Sequence, residues 1–361
     1  MTILRPIALL AACLACAGGA MAQISLTPPA AQAPPASKPA PAKPRAAPKP
    51  AAKAPVAAKK PAVVPPAPSA TPTPATSAPT GDANVDLVYG AYQRGQYKTA
   101  FDLASKRAEE NNDPKAMTML GELYANALGI KRDYAKAAEW YQRAAERGDR
   151  EGMFALAMLR LSDRGNTGNR SEGAKWLASA AKLGSPKAAY NLALLYLDGQ
   201  ILPQDVKRAA ELLRVAADAG NPEAQYALAT FYKEGTGVEK NIEKAVRLLQ
   251  AASVADNVDA EVEYAIALYN GTGTPKNEAA AVALLRKAAR QNSPIAQNRL
   301  ARVLVTGQGA PLDKIEGLKW HIVAKTAGKG DLMLDEALAQ ATPEERTKAQ
   351  DAARKWLGVN K

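Results

Sequence analysis

The chain has 361 residues, 47 of them basic and 35 acidic, for a formal net charge of +12, with one histidine and two cysteines. So few imidazoles and thiols exclude a histidine or cysteine metal centre, and no cofactor is expected. The positive balance would suggest a nucleic-acid partner if it were spread along the chain, but most of it sits in the first 80 residues.

Residues 1–22 read as a signal peptide. Arg5 supplies the positive start, Ile7 to about Ala17 the apolar stretch, and Ala20 and Ala22 the small-residue pattern read by signal peptidase, with cleavage between Ala22 and Gln23. The apolar run falls short of the roughly 20 residues needed to cross a bilayer, so no transmembrane span is expected in the mature chain. Leu10-Ala11-Ala12-Cys13 also resembles a lipobox, which leaves open a lipoprotein anchored at Cys13. Cleavage after Ala22 removes both Cys13 and Cys16, and with them any disulfide. The expected location is exported and periplasmic.

Residues 23–80 are rich in Pro, Ala and Lys and carry Lys38, Lys43, Arg45, Lys49, Lys53, Lys59 and Lys60 with no acidic residue. With few large apolar side chains to bury, this segment is expected to be a disordered tether. It is either a solubilising spacer or a basic arm contacting anionic envelope surfaces. No aromatic residues are interleaved for stacking bases, so no nucleic-acid partner is expected. With Arg5 and these seven set aside, 39 basic residues face 35 acidic ones, a net of +4.

Residues 84–112 read as an N-terminal capping helix pair. From Asp113 the chain returns to one pattern every 36 residues, in units beginning at Asp113, Asp149, Ser185, Asn221, Asn257 and Ser293. Small residues recur at Ala116, Gly152, Ala188, Ala224, Ala260 and Ala296, and again at Ala144, Ala180, Ala216, Ala252, Ala288 and Ala324. Turn glycines recur at Gly199, Gly235, Gly271 and Gly307, with a second set at Gly129, Gly165, Gly237, Gly273 and Gly309. Each unit reads as two helices. Ala137, Trp140, Tyr141, Ala144, Ala145 and Gly148 have the spacing of one buried stripe, and Trp140, Trp176, Leu212, Leu248, Leu284 and Trp320 form the large column expected to fill the space between small residues.

The units YNLALLYLDGQILPQDVKRAAELLRVAADAGN (190–221) and YALATFYKEGTGVEKNIEKAVRLLQAASVADN (226–257) resemble the Sel1-like repeat, a relative of the tetratricopeptide repeat, and the resemblance covers 113–329 as six repeats. It implies an all-α, right-handed α-α solenoid superhelix whose first helices line the concave side, and a role as an adaptor between proteins. The second unit departs in LSDRGNTGNRSEG (161–173), which lacks the usual first glycine and puts its turn geometry in question. Residues 330–361 read as C-terminal capping helices, with Thr342 as N-cap, Pro343 at the first helical position and Glu345 three residues on. Caps shield the apolar faces that end repeats would expose.

No catalytic constellation accompanies the repeats, and no enzyme activity is expected. His321, the sole histidine, falls in the helix-packing column of Tyr141, Leu177, Leu213, Leu249 and Leu285. Ser179-Ala180-Ala181-Lys182 matches the Ser-x-x-Lys of penicillin-recognising enzymes, but it lies in the repeat's alanine column without the partner motifs. Some cysteine-rich members of the resembled family are associated with β-lactams; their disulfide-paired repeats are absent here.

The remaining function is binding a protein or peptide partner in the cell envelope. With Ala116, Leu120 and Tyr124 assigned to packing, the neighbouring stripe of the first helices is the candidate groove: Met119 and Glu122, Ala155 and Met158, Asn191 and Leu194, Ala227 and Thr230, Glu263 and Ile266, Arg299 and Arg302. Adaptable and aliphatic residues stand there where a solvated face favours Lys or Glu. Arg299 and Arg302 are expected to offer a site to an acidic group or a C-terminal carboxylate. The other reading of the stripe is contact with the neighbouring repeat.

Overall fold

The structure, a computed structural model, describes residues 83–164 and 168–358. The leader, Ala22 and Gln23, Cys13, the tail and Gly165 lie outside the described residues. Among the described residues, sixteen helices follow one another. α1 (Ala83–Gln93) and α2 (Tyr97–Glu110) come first. Six pairs follow: α3 (Pro114–Asn126) and α4 (Tyr134–Glu146); α5 (Arg150–Ser162) and α6 (Arg170–Lys182); α7 (Pro186–Asp198) and α8 (Val206–Asp218); α9 (Pro222–Glu234) and α10 (Ile242–Val254); α11 (Val258–Asn270) and α12 (Glu278–Arg290); α13 (Pro294–Thr306) and α14 (Lys314–Thr326). α15 (Leu332–Gln340) and α16 (Pro343–Leu357) end the array. Each repeat helix packs on its partner within the unit and on a neighbouring unit, and α15 and α16 both pack on α14.

The 36-residue period is written in the caps. Asp113, Asp149, Ser185, Asn221, Asn257 and Ser293 are the N-caps of the first helices, each accepting a hydrogen bond from a backbone N–H of the first turn. A second column, Asp133, Asn169, Asp205, Asn241, Asn277 and Asp313, does the same for the second helices. Each such cap contributes about 1 kcal/mol, which matters for helices of 13 residues that are marginal in isolation. The first helices end on a left-handed residue at the predicted glycines, with φ of 69° to 82°. Ala127 and Asp163 take the same conformation in the first two units, at φ of 59° and 50°. The unusual turn of the second unit is therefore closed by Asp163, whose carboxylate accepts from the Gly168 N–H at 2.9 Å.

The small columns are buried as expected, and a further one, Gly121, Ala157, Ala193, Ala229, Ala265 and Ala301, is buried with them. The large column needs correction. Trp140, Trp176, Leu212, Leu248 and Leu284 are only half-buried, and of that column Trp320 alone is buried. The side chains in the centre are one residue later: Tyr141, Leu177, Leu213, Leu249, Leu285 and His321. The reason is the interface each column faces. Leu212 packs against the cores on both sides of it, so its column spaces one repeat from the next while its neighbour fills the helix pair.

Candidate partner-binding stripe

The first helices place the predicted stripe in a half-buried row, but its members differ in what they touch. Met119 packs against the two N-terminal core clusters, Ala155 and Leu194 against the cores beneath them, and Ala227 is buried. These four serve repeat packing. Met158 is 37% exposed, and Ile266 is half-buried. Asn191 donates to the Lys187 carbonyl at 2.8 Å, and the Thr230 hydroxyl to the Tyr226 carbonyl at 3.3 Å.

The charged members separate more sharply. Glu263 receives Lys233 at 2.7 Å and the Tyr226 hydroxyl at 3.3 Å, both from the preceding first helix. Burial and then this carboxylate push the Tyr226 phenol well above its usual range. Arg302 is paired with Asp331, the N-cap of α15, which also receives Asn298 at 3.3 Å. Arg302 is thus occupied by the chain itself. Arg299, one turn away on α13, has no acceptor among the described residues; burial and then Arg302 lower its pKa, and Asp331 opposes them. Of the predicted arginine pair, Arg302 is ion-paired within the chain and Arg299 is not. Glu122 is held by Asn126 at 2.6 Å and the Tyr141 hydroxyl at 3.1 Å.

The motifs weighed for catalysis are committed to structure. The Ser179 hydroxyl donates to the Lys175 carbonyl at 3.1 Å, and Lys182 is exposed. His321 is fully buried, with Nε2 2.8 Å from Asp335 of α15, so it ties the last repeat to the end of the array. Among the described residues, no group of His, Cys, Asp and Glu is arranged to hold a metal ion, and no helix is long and apolar enough to cross a membrane.

The family model described as Sel1 repeat matches six consecutive stretches: 114–149, 150–185, 186–221, 222–254, 258–293 and 294–329. The chain belongs to the Sel1 repeat family. These six Sel1 repeats coincide with the helix pairs from α3 to α14. The fold is similar to the crystal structure of a Sel1 repeat protein from Oxalobacter formigenes, at 25% identity and a TM-score of 0.60, over 67% of this chain and 99% of that one. It is also similar to c5321, a protective antigen present in uropathogenic Escherichia coli strains displaying an SLR fold. That likeness has 24% identity and a TM-score of 0.52, over 76% of this chain and 68% of the other. A comparison with curated proteins gives no match.

Sequence reasoning placed the stripe on the first helix of each pair, where its residues lie. It missed which charges pair across repeats, because partners such as Lys233 and Glu263 are 30 residues apart. It also missed the second N-cap column, for which the recurring Asp or Asn at 36-residue spacing was a readable signal.

Proposed function

We propose that the chain is an exported, non-catalytic Sel1-repeat scaffold that holds a segment of a protein partner in the cell envelope along its first-helix stripe. Sel1-repeat solenoids are typically interaction scaffolds, and stacked repeats offer an extended row of helix faces suited to a long ligand. The observation that carries the reading is Arg299, a half-buried guanidinium without an acceptor among the described residues, with exposed Ile295 one turn before it on α13. A carboxylate next to an apolar side chain matches that pair.

The test is a crosslinked pulldown from the envelope fraction, read by mass spectrometry, comparing the native chain with a Met158→Glu, Arg299→Ala double variant. Met158 is exposed and Arg299 makes no internal bond, so helix content by circular dichroism is expected to be unchanged while partner capture is lost. Capture that survives the double variant refutes the stripe. The basic segment 23–80 favours a second reading, attachment to anionic envelope surfaces; its deletion then abolishes localisation while leaving stripe binding intact.

A further inference from the structure

The first repeat departs from the other five at three positions that meet in space. It has Gly121 where the others have Ala157, Ala193, Ala229, Ala265 and Ala301. It has Tyr141 where they have four leucines and His321, and Glu122 where they have Met158, Leu194, Thr230, Ile266 and Arg302. The changes are coupled. A Cβ on Gly121 would stand 2.4 Å from the Tyr141 ring, so the glycine makes the room that the ring fills. The Tyr141 hydroxyl then donates to one oxygen of Glu122 at 3.1 Å, and the Asn126 amide to the other at 2.6 Å. Burial and then the Glu122 charge raise the Tyr141 phenol far above its usual range, which keeps the hydroxyl a donor.

The result is an oriented carboxylate with no cation of its own. Each other glutamate of the repeats that is not exposed faces a cation of this chain: Glu172 has Arg160 at 3.5 Å, Glu261 has Lys287 at 2.6 Å, Glu263 has Lys233 at 2.7 Å, Glu278 has Lys276 at 2.6 Å, and Glu316 has Arg286 at 2.8 Å. Among the described residues, Glu122 is held by neutral donors only. Its surroundings are aromatic as well. Tyr92 of α1 lies close enough that, after burial, the Glu122 charge is the largest influence raising its phenol, and it packs edge-on against Tyr97 with ring centres 5.6 Å apart. Carboxylates and tyrosine rings together are the chemistry that receives an ammonium or guanidinium group.

We propose that Glu122, oriented by Tyr141 and Asn126, receives an arginine or lysine side chain of the protein partner at the N-terminal end of the stripe. The inference rests on the scaffold reading for the nature of the occupant. It gives the stripe a polarity: a basic residue of the partner at the first repeat, and an acidic one at Arg299 of the last.

The probe is a phage-displayed library of random dodecapeptides, panned on the full chain and on Glu122→Gln, Glu278→Gln and Arg299→Ala variants whose melting curves match it. Glu278 already has its cation and serves as the control. Peptides with a basic residue are expected to be enriched on the native chain and on Glu278→Gln. On Glu122→Gln that enrichment falls roughly tenfold, the size of one lost charge-assisted contact. Equal enrichment of basic peptides on Glu122→Gln, or none on the native chain, overturns the inference. Acidic peptides that bind the native chain and are lost only on Arg299→Ala would uphold the stripe while removing the Glu122 site; absence of any stripe-dependent peptide removes both.

Discussion

Gly121 and Tyr141 show how a repeat array tolerates a local exception. Gly121→Ala alone is expected to destabilise by about 1–3 kcal/mol, because the added methyl overpacks against the ring. Adding Tyr141→Leu restores the pairing used by the middle repeats, and most of the loss should return; a double-mutant cycle by urea unfolding measures the coupling, and additivity would contradict the packing account. Glu261 is a second exception. In its column Gln225 and Gln297 donate to the carbonyls of Ala217 and Ala289, each at 3.1 Å. Glu261 is fully buried and neither carboxylate oxygen has a well-oriented hydrogen bond, although Lys287 approaches to 2.6 Å. Geometry favours the ion pair over satisfied hydrogen bonding, and the cost of burying the Glu261 carboxylate offsets much of the attraction of the half-exposed Lys287. Glu261→Gln is therefore expected to stabilise by about 1 kcal/mol, seen as a higher melting temperature, since Lys287 keeps Asp256 at 2.6 Å. The columns themselves were legible in the residues. Their exceptions were visible as letters and acquired meaning only when Gly121 was found against the Tyr141 ring.

At the scale of elements, cap chemistry sets the helix ends and electrostatics sets the end of the array. Thr342 and Glu345 form a reciprocal capping box at the start of α16, as the Thr-Pro-x-Glu spacing predicts. Trp356 of that helix meets Trp320 edge-on at 5.0 Å, with Lys319 at 4.0 Å and 5.0 Å from the two rings. α15 is held by the fully buried Leu334 and by charge. Burial pushes the Asp331 carboxyl up, but Arg302 and Asn298 outweigh it and leave it below the usual range; the Lys325 and His321 hydrogen bonds hold Asp335 low. A depressed carboxylate contributes stability above its unfolded value, about 3.9, and loses it as pH falls through the folded value. Acidification below about pH 4 is thus expected to loosen α15 before the middle repeats. Hydrogen exchange of α15 against α9 checks this, and simultaneous loss would refute it. Nothing in the local sequence announced Asp331 as a partner of Arg302, because its cap role and its ion pair are made on different helices.

For the whole molecule, nearest-neighbour stacking means that length is modular. Removing residues 221–256 joins Gly220 to Asn257 and preserves both the left-handed junction residue and the following N-cap. That variant is expected to fold as a five-repeat array with unchanged helix content per residue and a cooperative melt. Removing half a unit places a first helix against a first helix and should aggregate; size-exclusion chromatography separates the outcomes. What the sequence determined by itself is the period, the number of units, the helix ends and the small columns, since each depends on residues within one turn or at a fixed repeat distance. Tertiary structure decided which stripe residues are free. Glu263 and Arg302 are neutralised by groups about 30 residues away, whereas Glu122 and Arg299 make no salt bridge among the described residues. That distinction depends on distances between neighbouring repeats, and one helix's residue pattern does not encode them.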